Sequence, residues 1–240
     1  MSKILLLSSS SVKKVRNSHP ALKGKKLLAS GMFSGVYEGS TPNTVLKLTI
    51  CPGTCSMLLD SKLRSSKHQP KIIHDYGCVG AFTTGTNVIE TKITKPVKRL
   101  VPMYLIEVEK LNKLTPKSET MLFAKRLSKL MQNALAGEDM GATERQMQIL
   151  RDTSAEPTIS AYFDGLIDFV ARNKGRVFFD MHPANMMQRS DGTLVFSDPI
   201  GSTEIFDTQG VFANLSNGDI EWSEVIQDHK KKFGHLVKRA

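Results

Sequence analysis

The spacing of apolar residues changes part-way along the chain, and this change constrains the fold more than any other feature of the sequence. Between Lys25 and Ile50, short apolar and β-branched runs are separated by Gly, Ser, Pro and Asn, as in antiparallel strands. Residues 117–135 and 158–173 instead carry apolar side chains at helical spacing. A strand-rich first half followed by a helix-rich second half predicts an α+β fold with two lobes.

The two halves can be divided into elements. Asp191-Gly192 between apolar runs predicts a hairpin, and the basic tail at 219–237 has helical spacing. Residues 1–24 are interpreted as a flexible N-terminal arm, 25–110 as a β-rich lobe and 111–240 as a mainly helical lobe. The remaining predicted elements are strands at 25–30, 35–40, 43–50, 86–93, 101–109, 186–188 and 193–197, and a short helix at 55–66.

The composition is that of a globular chain with an excess of positive charge. Lys and Arg number 33 against 23 Asp and Glu, a net charge of +10, which favours polyanions such as ATP, nucleic acid or acidic protein surfaces. The basic runs are not interleaved with aromatic residues, so nucleic acid is a possible partner but not the primary ligand. Three irregularly spaced cysteines predict reduced thiols in a cytoplasmic compartment. No apolar run approaches the length of about 20 residues that a membrane helix needs, so no membrane partner is expected.

Residues 178–201 carry the clearest chemistry. Asp180 is followed by Asn185, then by the predicted hairpin and Asp198. An amide oxygen and a carboxylate suit Mg²⁺, and phosphoryl transfer needs a metal ion beside the phosphates. A separate carboxylate, that of Asp180, is placed to accept the proton of an attacking hydroxyl. The pattern favours phosphoryl transfer from ATP, with Asn185 and Asp198 as metal ligands, over the alternative of a structural turn that binds no metal.

The same segment resembles the catalytic and metal-binding loops of the protein-kinase superfamily. The family order is H-R-D-x-x-x-x-N and then D-F-G, and Asp180, Asn185 and Asp198 fall on its two Asp positions and its Asn. The resemblance implies a two-lobed protein-kinase-like fold with ATP and Mg²⁺ as cofactors. His182 stands where most protein kinases have Lys, and is interpreted as a catalytic-loop residue that donates to the γ-phosphate or orders the loop.

Residues 27–39 resemble the glycine-rich nucleotide-binding turn of the same superfamily, G-x-G-x-x-G-x-V. Gly31 takes the second glycine position and Ser34 the third. Phe33 matches the aromatic residue at the tip of the turn, and Val36 the valine over the adenine. Small residues at such a turn let backbone N–H groups approach phosphates. An ordinary hairpin is the alternative interpretation of this segment.

Lys47 lies in TVLK, which resembles the V-A-I-K strand of protein kinases. The resemblance implies that Lys47 contacts the α- and β-phosphates and pairs with an acid on a helix. Asp60 and Asp75 are the acids between Lys47 and Glu90, and Asp60 is assigned to this pair because it lies in the predicted short helix.

Residues 103–111 form an apolar run with an acidic end, and resemble the hinge strand of protein kinases. The backbones of Glu107 and Val108 are therefore expected to contact adenine, and Met187 to form the floor of the adenine pocket. A plain core strand and a core methionine are the alternatives.

Within the superfamily, the resemblance is closest to the early serine/threonine kinase of T-seven-type lytic phages, over roughly residues 25–205. MFSGVY, FFDMHPANMM and SDP carry it. It implies a protein in the cytoplasm of an infected bacterium that phosphorylates host transcription, translation or RNA-processing proteins on Ser and Thr. Autophosphorylation is also expected, for example within the serine run 8–11.

Some positions depart from the family pattern. Phe178 and Phe179 replace the His-Arg pair, so no activation-loop phosphate is expected to be bound there. Pro199 follows Asp198 and argues against a mobile D-F-G segment, because proline fixes φ. The stretch after Asp198 is short, so a minimal C-terminal lobe is expected, without a region for shutoff of host transcription.

Two alternative functions fit parts of the sequence. D-x-H-P-x-N also resembles small-molecule kinases of the aminoglycoside and choline phosphotransferase type, although the basic net charge is unfavourable for cationic substrates. A pseudokinase that binds a host protein without phosphate transfer is the other. The presence of Lys47 together with the three oxygen-bearing residues favours an active enzyme.

Overall fold

The computed structural model describes residues 10–31, 33–84, 99–136 and 141–203. They fall into two compact units. The sheet unit contains the described residues up to Cys55 and those of Ile72–Lys110, and the helical unit contains Ser56–Lys71 and those of Leu111–Thr203. The predicted division at residue 110 is therefore corrected for residues 56–71, which group with the helices. No helix among the described residues is both long enough and apolar enough to cross a membrane.

A five-stranded antiparallel sheet forms the sheet unit. The meander predicted at 25–50 and the strand predicted at 101–109 are confirmed. The fourth strand is not predicted by the sequence, because Gly77 and Gly80 interrupt its apolar pattern at irregularities in its pairing. The strand predicted at 86–93 lies outside the described residues. The strands are β1 (Leu27–Ser30), β2 (Ser34–Glu38), β3 (Thr44–Thr49), β4 (Ile72–Thr84) and β5 (Arg99–Glu109), in the order β1-β2-β3-β5-β4.

Helix α1 (Ser10–Ser18) packs against the sheet. Its Val12 and Val15, and Leu22 beyond its end, are buried in the hydrophobic core of this unit. The prediction of a flexible arm is therefore wrong for residues 10–24, because Ser and Lys dominate the composition and conceal the apolar residues that contact the sheet. The strand residues of this core include Tyr37, Leu46, Leu48, Met103 and Leu105.

A buried carboxylate holds the turn between β2 and β3. Glu107 is only 2% exposed, and its Oε1 accepts hydrogen bonds from the backbone N–H of Ser40 (2.6 Å), the hydroxyl of Ser40 (2.6 Å) and the hydroxyl of Thr44 (2.5 Å). The Tyr76 hydroxyl donates to Oε2 (3.4 Å). Burial by itself would raise the pKa of Glu107, but the hydrogen bonds from Ser40 and Thr44 outweigh it and hold the pKa below its ordinary value.

We expect Glu107→Gln to lower the free energy of unfolding by about 2 kcal/mol at neutral pH, because hydrogen bonds to a charged acceptor are replaced by neutral ones. The depressed pKa of Glu107 means that its contribution is present above the ordinary Glu pKa of about 4.3 and is lost as the pH falls through the lower folded value. Urea unfolding of the wild-type chain should therefore show a steeper loss of stability in acid than the variant. Glu38→Gln, at an exposed position on β2, serves as the control. Equal acid dependence in the wild type and Glu107→Gln would contradict this role.

Two short helices come after β3, where the sequence predicts one at 55–66. They are α2 (Pro52–Leu59) and α3 (Ser61–Arg64). Asp60 lies between them in an extended conformation (φ −62°, ψ 125°), and its side chain accepts hydrogen bonds from the N–H groups of Lys62 and Leu63. Asp60 therefore caps the N-terminus of α3 rather than lying within a helix.

The helical unit contains three longer helices and short paired strands. The helices predicted at 117–135 and 158–173 and the late hairpin are confirmed, whereas the tail at 219–237 lies outside the described residues. The sequence does not predict α5, because its buried face combines Leu150 with the polar Gln146. The elements are β6 (Asn112–Lys113), α4 (Glu119–Asn133), α5 (Ala142–Asp152), α6 (Pro157–Arg172), β7 (Val177–Phe179), β8 (Met186–Gln188), β9 (Leu194–Phe196) and β10 (Ile200–Ser202).

Aromatic packing fixes α6 against β9. The ring of Phe196 stacks on Tyr162 with centroids 5.1 Å apart, and meets Phe163 edge-on at 5.4 Å. All three side chains are fully buried, and aromatic pairs in such arrangements add stability beyond the burial of their area. The strand that leads to Asp198 is therefore anchored on the longest helix of the unit.

Candidate active site

Two strand pairs bring the ends of the 180–185 loop to the residues that flank Asp198. β7 pairs with β10, with Phe179 opposite Ile200, and the N–H of Asp180 extends this ladder by donating to the carbonyl of Pro199 (2.7 Å). β8 pairs with β9, and the N–H of Ser197 extends that ladder by donating to the carbonyl of Asn185 (2.8 Å).

Asp198 stands between Ser197 and Pro199, each of which is bonded to one end of the loop. Its backbone is therefore fixed relative to both Asp180 and Asn185. A late hairpin that returns the chain to the loop is the arrangement that the sequence predicts, and the structure brings these three residues together.

The amide of Asn185 is oriented by Asp180. Its Nδ2 donates to the backbone carbonyl of Asp180 (2.9 Å) and to the Oδ2 of the Asp180 carboxylate (3.0 Å). Because an amide nitrogen carries two hydrogens, both are used, and the amide oxygen is the atom that can bind another ligand. An amide oxygen presented in this way suits a hard cation.

The carboxylate of Asp180 has a raised pKa. Asp180 is exposed as a whole residue, yet loss of water around its carboxylate is the largest cause of the raised pKa. The negative charge of Asp198 raises the pKa further, while the hydrogen bond from Asn185 and the nearby His182 act in the opposite direction. The effect of Asp198 indicates that two carboxylates lie close enough to repel each other. A cation bound beside them would relieve that repulsion.

His182 shapes the turn after Asp180. Its backbone N–H donates to the carbonyl of Asp180 (2.9 Å), and its Nδ1 accepts a hydrogen bond from the N–H of Ala184 (3.2 Å). In a neutral imidazole this places the proton on Nε2. The exposed His182 ring can thus order the loop through Nδ1 and offer Nε2–H to an anion.

The donor set fits Mg²⁺. No group of three or more His, Cys, Asp and Glu residues in the described ranges is placed to hold a metal ion. Asn185 and Asp198 form a smaller set, and Mg²⁺ is usually bound by one or two protein ligands together with water and substrate phosphates. These two residues would hold the ion, with Asp180 beside them.

In the sheet unit, the turn that resembles the glycine-rich loop is a hairpin between β1 and β2. The N–H of Gly31 donates to the carbonyl of Ser34 (2.9 Å), so this N–H closes the turn. The carbonyl of Phe33 accepts hydrogen bonds from Ile50 N–H (3.0 Å) and the Thr49 hydroxyl (3.1 Å), and the buried Ser34 hydroxyl donates to Thr49 (2.9 Å). The hairpin is therefore fastened to the end of β3.

Val36 and Lys47 lie opposite each other on β2 and β3, and Ile106 on β5 continues the same row. Because side chains alternate along β3, this row lies on the face away from Leu46 and its core cluster. Lys47 is only 8% exposed on that face. The sheet unit thus places Val36 and Lys47 side by side on one face.

Asp60 has well-defined contacts within the helical unit, and its pairing with Lys47 stays a prediction. Its Oδ2 accepts a hydrogen bond from Arg172 of α6 (2.8 Å), and its Oδ1 caps α3. Arg172 also approaches Asp168 (3.6 Å), which pairs with Lys62 (2.7 Å). Both oxygens of Asp60 are engaged within the helical unit, where the residue joins α3 to α6.

The expected adenine contacts fall within paired strands. Val108 lies opposite Val45 on β3 and Ile72 on β4. Glu107 likewise has a pairing partner on each of these two strands. Their backbone groups belong to a central strand and would have to leave the sheet to contact adenine. In the helical unit, the half-buried Met187 lies on β8 opposite Val195.

Sequence reasoning missed a buried polar segment that supports β9. The His68 carbonyl accepts a hydrogen bond from Phe196 N–H (2.9 Å), and its ring Nδ1 is 2.7 Å from the Leu194 carbonyl. Gln69 accepts a hydrogen bond from the Tyr162 hydroxyl (3.0 Å) and donates to the Met57 carbonyl (2.9 Å). A His-Gln pair in a polar stretch gives no sequence signal for such a role.

Comparison with known proteins gives few matches. No protein-family model matches the chain, and no curated protein matches it. Among solved structures, it is similar to aminoglycoside phosphotransferase APH(4)-Ia and to the apo form of a thermostable mutant of that protein. Identity is 12% and the TM-score 0.30 in both cases; the matches cover 88% and 90% of this chain and 78% and 80% of the other. Similarity this low does not establish a family.

Proposed function

We propose that this protein is an ATP-dependent phosphotransferase of the protein-kinase type, and that its acceptors are Ser and Thr residues of proteins. The observation that carries the proposal is the convergence of Asp180, Asn185 and Asp198 in the helical unit. Hydrogen bonds fix Asp180 to Asn185 and fix the neighbours of Asp198 to both. Three oxygen-bearing side chains held in this way match what metal-assisted phosphoryl transfer requires.

Each side chain has a distinct role in this proposal. Asn185 and Asp198 hold Mg²⁺, which would neutralise charge on the phosphates. Asp180 accepts the proton of the acceptor hydroxyl, and its raised pKa makes the carboxylate a better base than an ordinary Asp. His182 orders the loop and donates to a phosphate oxygen. Lys47 contacts the α- and β-phosphates, next to the Val36 position expected over the adenine.

A protein acceptor is favoured by charge. The chain carries a net charge of +10, which attracts acidic protein surfaces and repels cationic small molecules such as aminoglycosides. The proposed partners are host bacterial proteins of transcription, translation or RNA processing, phosphorylated by a phage protein in the host cytoplasm. Autophosphorylation is part of this proposal; Ser10 is exposed on α1, whereas Ser11 is half-buried.

A small-molecule phosphotransferase is the second candidate. The observation in its favour is the His182-Pro183 turn, because D-x-H-P-x-N resembles the loop of aminoglycoside and choline kinases. In this case the same three residues perform the same transfer, and the acceptor hydroxyl belongs to a metabolite or drug. The two candidates differ only in the acceptor.

Incubation of the purified protein with radiolabelled ATP, Mg²⁺ and a bacterial lysate tests the proposal. Labelled polypeptides that yield phosphoserine or phosphothreonine on acid hydrolysis are the expected result. Label in a small molecule alone would favour the second candidate. Absence of transfer to any acceptor, in the presence of nucleotide binding, would favour the pseudokinase and overturn the proposal.

A further inference from the structure

We propose that Ser197 is a positioning residue for the metal site, and that its hydroxyl holds the two metal ligands, Asn185 and Asp198, at their working separation. The inference rests on the proposed function and concerns a residue with no role in it so far. Ser197 is half-buried immediately before Asp198. Its side chain and its backbone both bond to Asn185.

The two bonds from Ser197 converge on one atom. The backbone N–H donates to the carbonyl oxygen of Asn185 over 2.8 Å, and the hydroxyl donates to the same oxygen over 2.9 Å. A carbonyl oxygen has two lone pairs, so this acceptor is fully used. One backbone bond permits rotation about its axis, whereas two bonds from one residue to one oxygen restrict that rotation.

The position of Ser197 explains why a second bond is needed there. The β8–β9 pair ends at Met186 opposite Phe196, and the Ser197 bonds continue the pairing beyond this point, up to Asp198. On the other side, Pro199 is tied to Asp180 through its carbonyl (2.7 Å). Pro199 has no N–H with which to form a further ladder bond. The Ser197 hydroxyl therefore adds a side-chain bond between Ser197 and Asn185 to a closed circuit of bonds.

That circuit contains every residue of the proposed metal and base site. Asn185 Nδ2 bonds Asp180, Asp180 N–H bonds Pro199, and Ser197 bonds Asn185. Asp198 lies between Ser197 and Pro199, and its shorter bonded connection to Asn185 runs through Ser197. Loss of the Ser197 hydroxyl loosens the connection between Asn185 and Asp198 and leaves the other hydrogen bonds of the circuit in place.

The test compares Ser197→Ala with Ser197→Thr, which keeps a hydroxyl on the same carbon. The dissociation constants of ADP with Mg²⁺ and of ADP in EDTA are measured by isothermal titration calorimetry. For Ser197→Ala we expect about 2- to 10-fold weaker binding of ADP with Mg²⁺, the effect of one hydrogen bond, and unchanged binding of ADP in EDTA. Ser197→Thr should restore most of the wild-type affinity.

Ser202→Ala is the matched control, because the buried Ser202 hydroxyl also bonds a backbone carbonyl, that of Arg176 (3.3 Å), but outside the circuit. Ser202→Ala should lower Tm without changing the ratio between the affinity for ADP with Mg²⁺ and the affinity for ADP in EDTA. If Ser197→Ala leaves the ratio unchanged, or weakens both forms of ADP equally, Ser197 has only a structural role and this inference alone is overturned. If the wild-type chain shows no Mg²⁺ dependence of ADP binding, the metal site of the proposed function is overturned together with it.

Discussion

Asp180→Asn is expected to lower kcat for phosphoryl transfer by about 10²- to 10⁴-fold, the usual contribution of a general base. The substitution keeps the size of the side chain and removes its ability to accept a proton. Tm at neutral pH should stay the same or rise. Because the folded pKa of Asp180 is raised, stability is lost as the pH rises from the ordinary Asp value through the folded one, and Asn removes this loss.

The measurement combines steady-state transfer to protein acceptors with thermal unfolding. Asp191→Asn is the matched control, because Asp191 lies at the exposed tip of the β8–β9 hairpin and its Oδ1 accepts a hydrogen bond from Thr193 N–H (2.9 Å), away from the 180–185 loop. Its rate should remain that of the wild type. An Asp180→Asn chain that retained near-wild-type kcat would show that another group accepts the proton.

Asp198→Asn is expected to lower the rate by about 10³-fold at saturating ATP and low millimolar Mg²⁺, because the loss of a charged metal ligand removes several kcal/mol of transition-state stabilisation. The neutral amide can still fill the space of the carboxylate. The fold should therefore persist, and the raised pKa of Asp180 should move down toward its ordinary value, because the repulsion from Asp198 is gone.

Titration with Mg²⁺ separates a metal ligand from a residue that only supports the fold. Part of the lost rate should return at higher Mg²⁺ concentration, and the acid limb of the pH–rate profile should shift to lower pH. Asp164→Asn, on α6, is the control for a change of net charge and should leave the Mg²⁺ dependence unchanged. An Asp198→Asn chain with the wild-type Mg²⁺ dependence would exclude Asp198 from the metal site.

The sequence predicts the proximity of Asp180, Asn185 and Asp198 because their spacing is tied to local structure. A loop and a tight hairpin after it return the chain to its starting point, and Asp191-Gly192 marks that hairpin. Gly192 has a positive φ of 86°. Glycine adopts this conformation without steric cost, which is why a glycine at this position predicts the turn. Contacts between residues that are near in sequence can therefore be predicted from the sequence.

Contacts between residues distant in sequence could not be predicted in the same way. No local pattern indicates that Arg172 of α6 pairs with Asp60, and the assignment of Asp60 as the partner of Lys47 stays a prediction. His68 bonds β9 through residues more than a hundred positions away, and no local pattern encodes that contact. Likewise, the apolar positions of α1 are too few to reveal a buried helix until the sheet that covers them is known.

The packing of α1 also limits how far the chain can be shortened. Truncation at Lys25, where the resemblance to kinases begins, would uncover Tyr37, Leu46, Leu48 and their neighbours on one side of the sheet. An uncovered apolar sheet surface promotes self-association. A catalytic fragment trimmed to the recognisable motifs would therefore be expected to precipitate, and any fusion partner is better joined ahead of Ser10 than after it.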